Sequence, residues 1–356
     1  MSFQNLSIKL KKNIFNYGLT SFSLGILFLG SAPSISTFFL IVAMLASSQR
    51  KNILQVNDKY SLMFLIVSII MIFNAFVIHR YFITSEFEGW DPNLSIVGLI
   101  NWIPFFICFN GFQLYLKTSK ARVFFSKLIL VGTIPVLVTA FGQYFLGWDE
   151  KITLLNGLIV WYIKPIGTLS GVSGLFSNPN YASAWLSIVW PFVLFYSIRK
   201  NNNTKRVLIF IFLAINLFTI LSTNSRTGWI SLLVPLPLVI GISISKLIII
   251  IIILTILIFF ASYTNLLPLV IKDPFLKLLP EKIYNITSFS FNNINNFPRL
   301  DIWRVSIKAI FNNPFFGYGA ASFPFIYGFL KNNNINDIHQ HTHNLFLELS
   351  INYGLL

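Results

Sequence analysis

The sequence predicts an all-α polytopic membrane protein with about nine to ten transmembrane helices and a long external loop that contains short helices. Of its 356 residues, 55% are hydrophobic and only 10% are charged, and the mean hydropathy is +0.72. Soluble proteins carry roughly a quarter charged residues. A single buried core of this composition would leave too little polar surface to face water, so much of the apolar surface must face lipid.

Apolar runs long enough to cross about 30 Å of hydrocarbon recur along the chain. We count nine of them, and a tenth begins near Asn344. The nine predicted spans are 17–31, 34–48, 61–79, 96–116, 128–146, 181–198, 207–222, 227–245 and 247–262. We expect the first span to stay in the membrane, because the basic residues before it are not followed by the small-residue pattern of a cleavable signal peptide.

The basic residues orient these spans. If the N-terminus lies in the cytoplasm, the cytoplasmic segments hold 15 of the 26 Lys and Arg residues and a single acidic residue, Asp58. The short loops after the third and fifth spans, on the opposite side, are acidic or balanced. Because short cytoplasmic loops carry an excess of Lys and Arg, this topology is the predicted one. It places Arg226 and a loop of roughly eighty residues, from about 263 to 343, on the external side, and loops of that length are usually functional.

Charge and cysteine content exclude several classes of function. A net charge of +15 and a pI near 9.9 would suggest nucleic-acid binding in a soluble protein. Here most of the basic residues lie in short loops between apolar spans, so we expect no nucleic-acid partner. Cys108 is the only cysteine, which excludes an intrachain disulfide and a CxxC metal site.

A cluster of histidines follows the external loop. His339, His341 and His343 lie within five residues, and Asn344 comes next. Alternate histidines on an extended strand face one way and could bind a divalent metal. One histidine could instead act as a general base near neutral pH, or the residues could form a solvated loop. The local sequence leaves these three interpretations open.

Two arginines are candidates for anion binding. Arg226 lies at the junction of the seventh and eighth spans with no acidic neighbour in sequence, where it either snorkels to the lipid headgroups or binds an anion. Arg299 heads a helix predicted from about 299 to 311, because Pro298 suits the first helical position. A guanidinium group grips phosphate well. Trp303 on the same helix suits the membrane interface.

A turn rich in amides precedes the sixth span. The sequence Asn178-Pro179-Asn180 is typical of a turn and a helix cap. An external turn of this kind could also bind sugar hydroxyls.

Five motifs, taken in order, resemble the O-antigen ligase and polymerase superfamily. They are GLFSNPNYA at 174–182, SRTGW at 225–229, Arg299-x3-Trp303, NPFFGYG at 313–319 and His341-x-His343-Asn344-x3-Glu348. The resemblance covers roughly residues 174 to 350, and the first five spans match only in general character. We therefore divide the chain into N-terminal membrane helices and short loops, 1–180, and an O-antigen ligase-related region, 181–356.

The resemblance implies a glycosyltransferase of the bacterial cytoplasmic membrane that contributes to cell-envelope polysaccharide. Such an enzyme takes a glycan from an undecaprenyl-diphosphate carrier on the periplasmic side. It transfers the glycan to the lipid A core, to another glycan or to a protein hydroxyl, with inversion and without a metal or other cofactor.

The family's motifs also imply roles for individual residues. Arg226 and Arg299 would hold the diphosphate, and His343 would activate the acceptor hydroxyl, which favours the general-base interpretation over the metal one. A further group would contact the substrate: Asn178, Asn180, Trp303, His341 and Asn344.

One departure from the family keeps two alternatives open. The family continues with further spans after the His-Asn segment, whereas this sequence stops at Leu356, so we expect either a fragment or a truncated protein. The alternatives are an inactive truncated remnant and a membrane transporter, since some relatives carry inorganic-carbon transporter names. The scarcity of ionisable residues inside the spans disfavours an ion-coupled transporter.

Overall fold

The computed structural model describes residues 3–49, 58–81, 89–167, 171–199, 203–263, 298–331 and 339–355. The helices are α1 (Phe3–Phe28), α2 (Pro33–Ser48), α3 (Lys59–Tyr81), α4 (Asn93–Val97), α5 (Ile103–Phe112), α6 (Ser119–Leu146), α7 (Pro179–Ile198), α8 (Asn203–Ser222), α9 (Arg226–Ser231), α10 (Leu236–Val239), α11 (Ile242–Tyr263), α12 (Pro298–Asn312), α13 (Phe323–Leu330) and α14 (Leu345–Tyr353). The predicted helical membrane architecture is confirmed. About half of the predicted external loop, residues 264–297 and 332–338, lies outside the described residues.

Five helical segments in the described part of the chain are long and apolar enough to cross a membrane. They are Lys59–Arg80, Asn93–Phe112, Ser119–Leu146, Pro179–Ile198 and Asn203–Ser222. They coincide with the third to seventh predicted spans. Three further apolar segments are shorter, Pro33–Ser48, Arg226–Val239 and Ile242–Ile251. The full number of membrane crossings stays a prediction.

The eighth predicted span, 227–245, is not one continuous helix. It consists of the short helices α9 and α10, and Gly241 then takes a left-handed φ of 90° before α11 begins at Ile242. Pro235 and Pro237 cause the first interruption, because proline lacks the backbone N–H that a helix interior needs. Lys246, predicted to lie in a loop, therefore lies inside α11.

The chain forms two compact units, Met1–Arg50 with Leu114–Tyr284 and Lys51–Gln113 with Asn285–Leu356. The division predicted near residue 180 was based on motifs, and it stays a prediction. In the first unit, α1 and α2 pack closely: the Oγ of Ser36 donates to the Gly25 carbonyl at 2.7 Å. A Cβ at Gly132 of α6 would lie 2.2 Å from the Leu27 carbonyl oxygen, so a small residue is needed where α6 crosses α1.

A short hairpin adds the only strands found among the described residues. Strand β1 (Lys151–Leu154) pairs antiparallel with β2 (Ile159–Tyr162), with Lys151 opposite Tyr162. The indole N–H of Trp161 donates to the Ser31 carbonyl at 2.7 Å and fixes the hairpin beside the turn between α1 and α2. This hairpin was not among the predicted elements, although the β-branched and aromatic residues of the segment favour strands.

The second unit is built from α3, α4, α5, α12, α13 and α14. Its core is formed by Ile302, Val305, Ala309, Ile310, Tyr318, Phe323, Ile326, Tyr327 and Ile351. The turn after α12 lies against the end of α14: the Tyr318 N–H donates to the Ile351 carbonyl at 2.6 Å, and the Gly319 N–H donates to the Asn352 carbonyl at 3.2 Å. The amide of Asn74 in α3 donates to the carbonyls of Phe315 and Tyr353 and joins this turn to the helix end.

Substitution of Gly319 by alanine should destabilise the second unit. Gly319 has a φ of 94°, and its Cβ would lie 2.6 Å from the Trp90 ring. Strain of the backbone and overpacking together should lower the free energy of unfolding by about 2 kcal/mol. A lower thermal midpoint of the detergent-solubilised protein would be the measured result. The control is Gly328→Ala in α13, where a Cβ would meet nothing within 4 Å; equal midpoints for the two variants would contradict the prediction.

Candidate functional site

Helix α12 positions Arg299. Ile302, Val305 and Ala309 are three and four residues apart, so they share the face that packs into the core of the second unit. Arg299 lies at the start of the helix with its side chain exposed. The helix predicted from about 299 to 311 is thereby confirmed, with bounds Pro298–Asn312.

Trp303 joins this helix to the histidine segment. Its indole N–H donates to the backbone carbonyl of Thr342 at 3.1 Å. The ring is half-buried. The segment on both sides of Thr342 is therefore attached to the helix that carries Arg299.

Thr342 is the buried centre of the histidine segment, between the exposed His341 and His343. Its N–H donates to the Oε2 of Glu348 at 2.9 Å, and its hydroxyl donates to the Asn344 carbonyl at 2.8 Å. The Oδ1 of Asn344 caps α14 by accepting from the N–H groups of Phe346 and Leu347, at 3.0 and 3.3 Å. An asparagine at this position is a favoured N-cap.

His343 has a left-handed backbone, with a φ of 53°. Apart from glycine, residues adopt this conformation in only a few per cent of cases, and asparagine, aspartate and histidine do so most often. Such backbone conformations cost of the order of 1–3 kcal/mol and persist where the surrounding structure enforces them. At this position, the hydrogen bonds of Thr342 and Asn344 on either side of His343 enforce it.

The imidazole of His343 is surrounded mainly by positive or potentially positive groups. Burial lowers its pKa below the ordinary value of 6.5, and the charge of Arg299 lowers it further. His339 and His341 act in the same direction, and Glu348 opposes them. His343 is therefore neutral near pH 7, so its free ring nitrogen can accept a proton.

The other two histidines have partners of their own. The Nδ1 of His341 lies 3.5 Å from the Oε1 of Glu348. The ring of His339 packs edge-on against Tyr327, with 5.0 Å between the ring centroids. Within the described ranges, no three His, Cys, Asp or Glu side chains are grouped so as to hold a metal ion.

A second polar cluster lies next to the histidine segment, and it was not predicted from the sequence. The hydroxyl of Tyr327 donates to the Oδ2 of Asp301 at 2.8 Å, and Lys331 forms an ion pair with the same oxygen. Burial alone would raise the pKa of Asp301, but the contacts with Lys331 and Tyr327 outweigh it and lower the pKa. The cluster ties α12 to α13 and supports the ring of His339. The one feature of the sequence that pointed to this cluster was the acidic residue Asp301, two residues after Arg299.

Arg226 belongs to the first unit. It is the first residue of α9, its side chain is exposed, and it forms no ion pair with any described acidic residue. Helix α9 is held against α7 by small residues: a Cβ at Gly228 would lie 1.9 Å from the Oγ of Ser183. The hydroxyls of Ser187 and Ser231 also lie 2.5 Å apart.

The amide-rich turn precedes α7 in the same unit. Asn178 is its N-cap, because the Oδ1 accepts from the Asn180 N–H at 2.8 Å, and Asn180 is exposed. The loop before this turn is held by Gln143, whose Oε1 accepts from the N–H groups of Ser173 and Gly174 at 2.9 and 2.7 Å. We had not singled out Gln143. Gln143 could have been identified from the sequence, because it is a polar side chain inside an apolar span.

The predicted site residues thus fall into two groups. Arg299, Trp303, His341, His343 and Asn344 are brought together in the second unit, whereas Arg226, Asn178 and Asn180 belong to the first. Their catalytic and substrate-binding roles stay predictions.

Comparisons with known proteins agree with the motifs. Residues 211–356 match the family model described as O-antigen ligase. The chain is also 25% identical, over 365 aligned positions, to the ComP-specific O-oligosaccharyltransferase of Acinetobacter baylyi. That alignment covers 96% of this chain and 60% of the relative, so the chain spans less than two thirds of the relative's length. The two matches confirm the resemblance to the O-antigen ligase superfamily that the motifs indicate.

Proposed function

We propose that this protein transfers a glycan from an undecaprenyl-diphosphate carrier to an acceptor hydroxyl, with inversion and without a metal. One observation carries the proposal: the hydrogen bond from the Trp303 indole to the Thr342 carbonyl joins the helix that carries Arg299 to the segment that carries His343. The matches to the O-antigen ligase family and to an O-oligosaccharyltransferase support membrane glycan transfer as the general activity.

His343 serves as the general base. A base must be unprotonated before the reaction and near the acceptor, and a lowered pKa keeps His343 unprotonated at neutral pH. The acceptor oxygen attacks the anomeric carbon and forms the new glycosidic bond as its proton passes to the imidazole. The bond between the anomeric carbon and the diphosphate oxygen breaks, and the diphosphate leaves with the electron pair.

Arg299 stabilises the departing diphosphate. Its guanidinium is exposed and permanently charged, and it is suited to two hydrogen bonds with phosphate oxygens. Positive charge placed where negative charge develops lowers the barrier of such a step. Arg226, which is exposed in the first unit, is the second residue that we propose for phosphate binding.

Further side chains would contact the sugars. Asn180 and His341 are exposed. Asn178 and Asn344 use their Oδ1 atoms as helix caps, and in the part of the chain that the structure describes their side-chain NH₂ groups form no hydrogen bond. Those groups can therefore donate to sugar hydroxyls.

The site lies on the periplasmic face of the bacterial cytoplasmic membrane, with the N-terminus in the cytoplasm. The distribution of Lys and Arg among the short loops supports this orientation. The acceptor is a lipid A core sugar, another glycan or a protein hydroxyl. The Acinetobacter baylyi relative is named an O-oligosaccharyltransferase, which supports a hydroxyl as the acceptor.

Removal of the base or of the charge should slow transfer strongly. In His343→Ala, the loss of general-base catalysis should slow transfer by roughly 10²- to 10⁴-fold. Arg299→Ala should slow it by roughly 10²- to 10³-fold, because the diphosphate loses its stabilising charge. The measurement is transfer by the full-length protein in a strain that lacks its own O-antigen ligase, with lipopolysaccharide ladders and protein glycosylation both recorded.

The matched control is Lys308→Ala, an exposed basic residue of the same helix α12. It should transfer at the wild-type rate. Full transfer by His343→Ala or Arg299→Ala in correctly inserted protein would refute the mechanism. Uptake of a labelled solute that depended on the protein, without any transfer, would favour a transporter.

The pH dependence of transfer should shift in opposite directions in two variants. Activity should rise with pH as His343 loses its proton. It should reach its maximum before neutral pH, because the pKa of His343 is lowered. Arg299→Gln removes a charge that lowers this pKa, so the rise should move to higher pH. Glu348→Gln removes a charge that raises it, so the rise should move to lower pH. Relative rates in proteoliposomes at several pH values would measure both shifts, and equal profiles would refute the assignment of the base.

A further inference from the structure

Trp303 connects the two elements that carry Arg299 and His343. Arg299 and Trp303 are separated by four residues on α12, about one helical turn. The residue that accepts the indole hydrogen bond of Trp303, Thr342, is the immediate neighbour of His343. This single hydrogen bond therefore joins the helix that carries Arg299 to the turn that carries His343.

Thr342 uses all of its polar groups to hold this turn. Its carbonyl accepts from Trp303, its N–H donates to Glu348, and its hydroxyl donates to the Asn344 carbonyl. The hydroxyl oxygen also accepts from the Asn344 N–H at 3.3 Å. The side chain is fully buried, so none of these groups is left to contact a substrate.

From this geometry we propose that Trp303, Thr342 and Glu348 are positioning residues that hold the imidazole of His343 at a fixed distance from the guanidinium of Arg299. Trp303 sets the distance, because its indole N–H ties the turn to α12. Thr342 and Glu348 set the orientation, because they anchor the turn in which His343 adopts its left-handed φ. The catalytic meaning of this arrangement rests on the proposed function; the arrangement itself does not.

A positioning role differs from the substrate contact predicted for Trp303. A tryptophan that stacks on a sugar acts through its ring, and phenylalanine would retain part of that contact. A tryptophan that positions the loop acts through its N–H, which phenylalanine lacks. Trp303→Phe therefore separates the two roles.

Several charged or titratable groups face His343. Arg299 lies on α12, Glu348 on α14, and His339 and His341 on the same segment as His343. Behind His339 lie Tyr327, Asp301 and Lys331. Among the described groups that act on His343, only Arg299 lies on α12, on the far side of the Trp303 hydrogen bond. Its influence on His343 therefore reports whether that bond holds.

The test is a double-mutant cycle read from the His343 titration, with no measurement of activity. The chain has four histidines, so the ¹³C-labelled imidazole signals of the full-length protein in detergent can be assigned with one His→Gln variant each. Arg299→Gln should raise the pKa of His343. In the Trp303→Phe background, Arg299→Gln should produce less than half of that rise, because the turn is no longer tied to α12. An equal rise in both backgrounds would overturn the proposal.

Two controls keep the result interpretable. Trp185→Phe removes a comparable indole hydrogen bond, to Thr133 at 3.2 Å, in the first unit, and it should leave the effect of Arg299→Gln unchanged. Thr342→Ser keeps the hydroxyl and should preserve the effect, whereas Thr342→Val should weaken it as Trp303→Phe does. Loss of the effect in Trp185→Phe, or its retention in Thr342→Val, would count against the proposal.

Activity then distinguishes the two proposals. If His343→Ala retains transfer while the titration cycle behaves as expected, the proposed function fails and the positioning role stands. If His343→Ala abolishes transfer while Trp303→Phe leaves both the titration and the pH profile of transfer unchanged, the positioning role fails alone.

Discussion

The structure depends on one constraint, that backbone N–H and C=O groups within a bilayer must find hydrogen-bond partners inside the protein. Continuous helices meet this constraint by themselves. Where the backbone departs from a helix, a polar side chain supplies the missing partner. Gln143 holds the loop before α7, the indole of Trp190 donates to the Leu232 carbonyl beside the break between α9 and α10, and Asn74 holds the turn after α12.

The candidate site uses the same principle at a smaller scale. The histidine segment is irregular, and the polar groups of Thr342 are matched by Trp303, Glu348 and Asn344. With the backbone satisfied in this way, the two flanking imidazoles are left exposed. Buried polar groups thus fix the loop, and its exposed side chains are available for chemistry.

Sequence could predict whatever depends on composition and on short-range pattern. Apolar runs located the third to seventh spans, and Pro298 located the start of α12, since both signals lie within a few residues. It could not predict what depends on distant partners. The break within 226–241 reflects prolines that a hydropathy average conceals, and the hydrogen bond from Trp303 to Thr342 joins residues 39 positions apart. The histidines and Arg299 were identifiable from sequence, but the burial of His343 and its proximity to Arg299, which lower its pKa, depend on the packing of α12 against the histidine segment.

The backbone of His343 has a consequence for how this position can vary. A left-handed φ is easiest for glycine and asparagine, neither of which can act as a base near neutral pH. The residues that would relieve the backbone strain of the turn would thus also remove the general base. Stability and activity therefore conflict at this position. An asparagine at position 343 would keep the shape of the turn and remove only the imidazole. It is therefore a more informative inactive form for trapping bound substrates than alanine, which would relieve none of the strain.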